Sequence, residues 1–188
     1  FSADALLAEL TEWVRIESPT YEAATVNRME DLIASRIGAL GLSVERVPGR
    51  DGLGDILRCR RAGRSNGPGI LIIAHADTVH PVGTLADKLP IRREGDKCYG
   101  PGICDMKGGN YAALEAVKQL LRANAPINLP ITFLFTSDEE VGSPSTRDLI
   151  EAEAARHAYV LVPEPARPNG GVVTGRYGDC DETGTAML

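Results

Sequence analysis

No two cysteines in this sequence are spaced C-x-x-C, and none is closely spaced to a histidine, so neither a zinc ribbon nor a dithiol redox centre is indicated. Cys59, Cys98, Cys104 and Cys180 are read as free thiols. Cys104, beside Asp105, is a candidate soft metal ligand, but free cysteine commonly packs as a small hydrophobe, and a buried position is expected for it. A basic excess is also lacking. The 20 Lys and Arg stand against 26 Asp and Glu, a net charge of −6, which argues against nucleic acid or an anionic membrane surface as the main partner. No apolar run approaches the roughly 18 residues of a membrane span. The opening FSADALLAELTEW reads as an amphipathic helix and not as a signal peptide, so a cytoplasmic location is the expectation. Internal repeats and low-complexity segments are absent. What is present, 188 residues with 43% hydrophobic content, is enough for one compact domain with a real core.

Leu6, Leu7, Leu10, Trp13 and Val14 recur at helical spacing after Ser2, a plausible N-cap, which predicts a helix ending near Glu17. Val26, Met29, Leu32, Ile33, Ile37 and Leu40 form the stripe of a second helix, stopped by Gly41. LSVERV and DILRCR read as short strands around the turn PGRDGLG. ILIIA, ITFLFT and YVLVP read as strands, the first two of the buried type. Between them lie a strong helix over residues 108–124 and a second over 146–157. Residues 81–102 form a long irregular stretch in which IRREG and DKCYG suit a hairpin. Strand and helix alternate, so the expected fold is α/β, a mostly parallel sheet with helices on both faces.

In such a sheet, ligands bind at the carboxyl ends of the strands. His75 and Asp77 close ILIIAHADTV, Asp105 sits in GPGICDMKGG, Glu139 and Glu140 follow ITFLFTSD, and Glu164 follows YVLVP. Each position alone has an ordinary reading. Asp77 could cap a turn and Asp105 could be a helix N-cap, and adjacent acids are common in solvated loops. The alternative readings are chemical. The two-residue spacing of His75 and Asp77 puts both on one face of extended chain, where Asp77 could hold the ring nitrogen of a metal-bound His75. Glycines on both sides of Asp105 let backbone and cations approach closely. Glu139 and Glu140 repel unless a cation or shared proton intervenes, and in extended chain they diverge, which suits one as metal ligand and the other as general base. Prolines on both sides set the direction of Glu164. Oxygen and imidazole donors suit a divalent ion such as zinc, and this many carboxylates around one histidine favours two ions over one.

The motifs H-A-D-T-V, G-P-G-x-x-D-M-K-G-G, T-S-D-E-E-x-G and P-E-P, at these separations, resemble the aminoacylase and carboxypeptidase family of two-zinc metallopeptidases. That group includes glutamate carboxypeptidase, acetylornithine deacetylase and succinyl-diaminopimelate desuccinylase. The stretches AHADTVHPVGT and EGDKCYGPG look closest to glutamate-carboxypeptidase-like members. The resemblance implies that His75, Asp105 and Glu164 ligate one zinc, that Asp105 bridges to a second zinc held with Glu140, that Asp77 orients His75, and that Glu139 is the general base. It implies two zinc ions per complete site, with cobalt or manganese as substitutes, and a small peptide or N-acyl amino acid as substrate. It also implies that residues 1–178 are a partial catalytic domain and residues 179–188 a tail of uncertain structure. The inserted domain through which the family often dimerises is absent, as is the late histidine that completes the second metal's shell; His80 and His157 do not fall at its place. Turnover by these residues alone is therefore expected to be impaired. The rival reading is an inactive metal-binding or partner-binding domain. A magnesium-dependent phosphoryl-transfer protein, which also clusters acids at strand ends, would leave His75 and Glu164 without a role.

Overall fold

The computed structural model describes residues 2–165, 171, 173, 174, 179, 180, 186 and 187. Helix α1, Ala3–Val14, starts where expected, with the Ser2 hydroxyl accepting the Ala5 N–H at 3.4 Å, and it buries Trp13 and Val14. In α2, Ala23–Gly38, the buried side chains Val26, Met29, Ile33 and Ile37 follow one stripe. Gly41 then takes φ +78°, the left-handed turn that releases the chain into β1. Strands β1, Ser43–Val47, and β2, Ile56–Arg61, form an antiparallel pair. They are followed by β3, Ile70–His75, a single helical turn α3, Thr84–Asp87, and the expected hairpin of β4, Arg92–Glu94, with β5, Lys97–Tyr99. Then come α4, Gly108–Arg122, β6, Ile131–Thr136, α5, Arg147–Ala154, and β7, Tyr159–Leu161. Strands β8, Asp179–Cys180, and β9, Ala186–Met187, pair antiparallel in the segment given above as a tail of uncertain structure. The expected boundary after residue 178 falls among residues outside those described.

The main sheet has the order β1-β2-β6-β3-β7. β3 is parallel to both β6 and β7, whereas β2 is antiparallel to both β1 and β6. Four of the five strands thus run one way and β2 alone is reversed, so the sheet is mostly parallel in direction but mixed in pairing. From β3 the chain crosses through α4 to β6 on one side. From β6 it crosses back through α5 to β7 on the other side of β3. Right-handed crossovers in opposite directions put their helices on opposite faces. The core divides accordingly. Leu57, Cys59, Ile72, Ala74, Phe133 and Phe135 meet α1, α2 and α4 on one face, while Ile56, Leu71 and Leu134 meet Leu149 and Ile150 of α5 on the other. Glu153 of α5 is buried against the sheet, with Arg58 Nη1 at 2.7 Å and Arg60 Nη2 at 3.0 Å from its carboxylate.

One expectation needs correction. α5 is shorter than residues 146–157, because His157 has left the helix to place Nε2 2.9 Å from Thr132 Oγ1, near the start of β6. β7, unlike β3 and β6, is exposed along its length: among the described residues it is an edge strand paired with β3 alone. No helix among the described residues is long and apolar enough to cross a membrane.

Candidate metal centre

β3 and β6 end in register, His75 opposite Thr136, so the chains leaving both strands emerge at one edge, beside the switch point where connections depart in opposite directions. His75 is buried at that edge. Its backbone is held on both sides: Asn110 of α4 donates its side-chain amide to His75 O at 2.7 Å, and His75 N–H faces Met106 Sδ at 3.3 Å. The ring is equally constrained. Nδ1 lies 3.0 Å from the backbone carbonyl of Asp77 and 3.4 Å from its carboxylate. Nε2 faces the carboxylates, with Asp105 at 3.0 Å, Glu164 at 3.5 Å and Glu139 at 3.8 Å. Two overlapping groups of donor atoms result, His75 with Asp105 and Glu140, and His75 with Glu139 and Glu164, each within 4.8 Å of one another.

Local chain geometry delivers these groups. Gly102, at φ +65°, admits the turn that carries Asp105, and a Cβ there would lie 2.5 Å from Thr78 Cγ2. Asp105 is not the N-cap of α4: Lys107 holds that position, and Asp105 lies two residues before it, with extended backbone, in the turn Ile103–Lys107. A Cβ on Gly109 would lie 1.7 Å from Pro163 O, so the first turn of α4 touches the segment carrying Glu164 only because residue 109 is glycine. Glu139 and Glu140 fall in different donor groups, and they sit on a 3₁₀ turn, Glu139–Val141, and not in extended chain. That turn is held by acids behind it. The buried Asp77 carboxylate accepts the N–H groups of Glu139 and Glu140 at 3.3 Å each and the Thr20 hydroxyl at 2.8 Å. The buried Asp138 carboxylate accepts Ser145 N–H and Oγ–H at 2.8 Å and the Thr146 hydroxyl.

The charge distribution calls for a cation. Burial alone would lower the His75 pKa, yet the hydrogen bonds to Asp77 and Glu164 and the charge on Glu139 raise it to about 11. Burial, followed by repulsion from Asp105, raises Glu140 to about 7, and burial with Glu164, Asp77 and Asp105 also raises Glu139 against the opposing pull of His75. Carboxylates this close hold either a proton or a metal ion between them. One imidazole with several carboxylate oxygens is a donor set that fits a divalent ion such as zinc. Burial also lowers Lys107 to about 8; its ammonium donates to Ile16 O and ties the turn after Asp105 to the end of α1.

All six residues singled out in the sequence, His75, Asp77, Asp105, Glu139, Glu140 and Glu164, meet at this edge. Thr20, Asn110, Asp138 and Lys107 were not anticipated. Asp138 adjoins the two glutamates and its neighbours Ser145 and Thr146 offered a local cue, whereas Thr20 reaches Asp77 across 57 positions of sequence with no cue at all. Cys104, expected to be buried, is exposed; it lines a cleft of about 380 Å³ with His80, Tyr99, Ile103, Asp105 and Glu140. Neither Cys104 nor His80 belongs to the two donor groups.

A doubly wound sheet with a histidine and several acids gathered at the carboxyl ends of its strands is a frame suited to holding divalent metal ions. The comparisons name the family. Residues 71–178 match the model of peptidase family M20/M25/M40, and the chain belongs to that family. It is 40% identical over 163 residues to carboxypeptidase G2 of Pseudomonas sp. (strain RS-16), covering 86% of this chain and 39% of that protein. It is 28% identical over 167 residues to acetylornithine deacetylase of Myxococcus xanthus, covering 87% of this chain and 42% of that one. Its fold matches that of human carnosine dipeptidase 1 with a TM-score of 0.75 at 21% identity, over 87% of this chain and 39% of the other. The chain thus spans about two fifths of the length of these relatives.

Proposed function

We propose that residues 1–178 supply the metal-ligand part of a two-zinc exopeptidase catalytic domain that hydrolyses an amide bond next to a free carboxylate, as a carboxypeptidase or an N-acyl-amino-acid deacylase does. The observation that carries this reading is the gathering of three carboxylates within 3.8 Å of His75 Nε2 while Nδ1 is held by Asp77. His75, Asp105 and Glu164 would hold one ion, and Asp105 with Glu140 the other. When bound, such a pair of ions polarises an amide carbonyl and acidifies a water. Asp77 fixes the His75 tautomer and, through the backbone of residues 139 and 140, the positions of both glutamates. Glu139 would accept the proton of the attacking water at its carboxylate and return it to the departing amine. The names of the relatives, a carboxypeptidase and a deacetylase, support the substrate class.

A second reading, a metal-binding or partner-binding domain without turnover, draws on one observation: among the described residues the two donor groups share a single imidazole. Three protein ligands and an open position hold a catalytic zinc well, whereas two carboxylates without an imidazole hold one weakly. The 188-residue chain is therefore expected to retain one zinc after dialysis, to take a second only at high metal concentration, and to hydrolyse amides slowly or not at all by itself. Metal analysis with a turnover assay decides. Two retained zinc ions and brisk hydrolysis would show that another residue completes the second site; no retained metal would remove the proposal.

A further inference from the structure

The metal centre occupies one end of the sheet, and a second cleft lies at the other. Arg61 ends β2 opposite Ile131, the first residue of β6, whereas His75 lies opposite Thr136, the last. Five residues of strand separate the two ends by roughly 16 Å. The cleft, about 330 Å³, is lined by Arg61, Gly63, Arg64, Leu121, Asn124 and Ala125 among others, and none of its lining residues is acidic. That volume falls within the range of small-ligand pockets, roughly 300–1,000 Å³.

The arginines here differ from most others in the chain. Arg36, Arg46, Arg50, Arg58, Arg60, Arg92 and Arg93 each pair with a carboxylate. Arg61 and Arg64 have no carboxylate partner among the described residues, and Arg61 Nε is buried with no acceptor. A buried donor left unmade is costly, and a chain with net charge −6 has acids to spare for pairing. The walls are braced in advance. Arg64 N–H donates to Ile127 O and Ser65 N–H to Asn128 O, both at 2.9 Å. A Cβ on Gly63 would lie 2.4 Å from Leu129 C, so the two loops approach this closely only because residue 63 is glycine. The C-terminal end of α4 borders the cleft and its partial negative charge opposes an anion, but Arg122 lies in that last turn and offsets it.

We propose that this cleft is a binding site for a small dianionic oxyanion group, a phosphate monoester or a dicarboxylate, separate from the metal centre. Guanidinium forks match both kinds of oxyanion with paired N–H donors, and two of them balance two negative charges. The test is calorimetric titration of the EDTA-treated 188-residue chain with inorganic phosphate and with succinate at matched ionic strength. Saturable binding of at least one probe is expected, and the stronger probe assigns the ligand class. Arg61→Gln and Arg64→Gln should each weaken it by at least about tenfold, whereas Arg28→Gln, an exposed arginine of α2 outside the cleft, should bind as the unmodified chain does. Arg64 is exposed, so Arg64→Gln tests the site even if Arg61→Gln fails to fold. No saturable binding of either probe at millimolar concentration, or unchanged binding by a folded Arg64→Gln variant, would overturn the proposal. An equal loss of binding in Arg28→Gln would also overturn it, by showing that affinity follows net charge and not the cleft.

Discussion

Asp77 is the residue on which the proposed metal centre depends without itself being assigned a metal. Its carboxylate accepts the Thr20 hydroxyl at 2.8 Å, accepts the N–H groups of Glu139 and Glu140 at 3.3 Å, and lies 3.4 Å from His75 Nδ1. Asp77→Asn keeps the shape and removes the charge. The Asp77 backbone carbonyl, at 3.0 Å from Nδ1, still orients the ring, so the loss of zinc affinity should sit near the lower end of the usual effect of such supporting groups, about tenfold or about 1.4 kcal/mol. Asp77→Ala also releases the turn that aims both glutamates, and should approach the upper end, about 100-fold or about 2.7 kcal/mol. It leaves the buried Thr20 hydroxyl without its acceptor, which by itself costs the metal-free fold about 1–3 kcal/mol. For a chain of this size that lowers the melting temperature by roughly 2–12 °C. Zinc competition against a chromogenic chelator measures the first effect and thermal melts in EDTA the second. If both variants bind zinc as tightly as the unmodified chain, Asp77 supports neither ring nor turn, and the account of the site is wrong.

The site was legible because β3 and β6 announce themselves as continuous apolar runs and each stops at a ligand-type side chain. Topology then does the rest: once the strands are parallel and in register, their ends must share an edge. The reversal of β2 was not legible, since DILRCR carries no mark of strand direction, and the mixed pairing follows from it. The exposure of β7 was hidden for a similar reason. YVLVP is as apolar as a covered strand, but burial depends on what lies beside it, and among the described residues only β3 pairs with it. Cys104 misled because composition statistics favour a buried thiol, whereas the turn that brings Asp105 to His75 lies at the surface and leaves both residues exposed. Thr20 and Lys107 could not be found from pattern. Their partners, Asp77 and the carbonyl of Ile16, are brought to them by the packing of α1 and its following loop against the sheet end.

Two further predictions separate chemistry from packing. In a form of the protein that turns over substrate, Glu139→Gln should cut turnover by about 10²–10⁴-fold, the usual effect of removing a general base, with zinc content unchanged; loss of zinc together with activity would make Glu139 a ligand instead. The other prediction concerns Glu30 of α2, which lies in the core with both carboxylate oxygens lacking a hydrogen-bond partner among the described residues. Burial raises its pKa well above 4.5, against the opposing pull of Arg46. A carboxyl whose folded pKa is raised binds its proton more tightly in the fold than in the unfolded chain. Its contribution to stability is therefore fully present below the unfolded pKa and is lost as pH rises from about 4.5 through the folded pKa. Glu30→Gln removes that titration, so its stability should fall less with pH than that of the unmodified chain. Glu30→Met removes the orphaned oxygens as well, and should stabilise the metal-free chain at neutral pH by about 1–3 kcal/mol. Melts of the three proteins in EDTA across pH 5–8 make the comparison. Parallel pH curves for the unmodified chain and the Glu30→Gln variant, or a Glu30→Met variant that melts lower, would mean that the carboxylate has a partner in solution and that α2 packs around a satisfied acid.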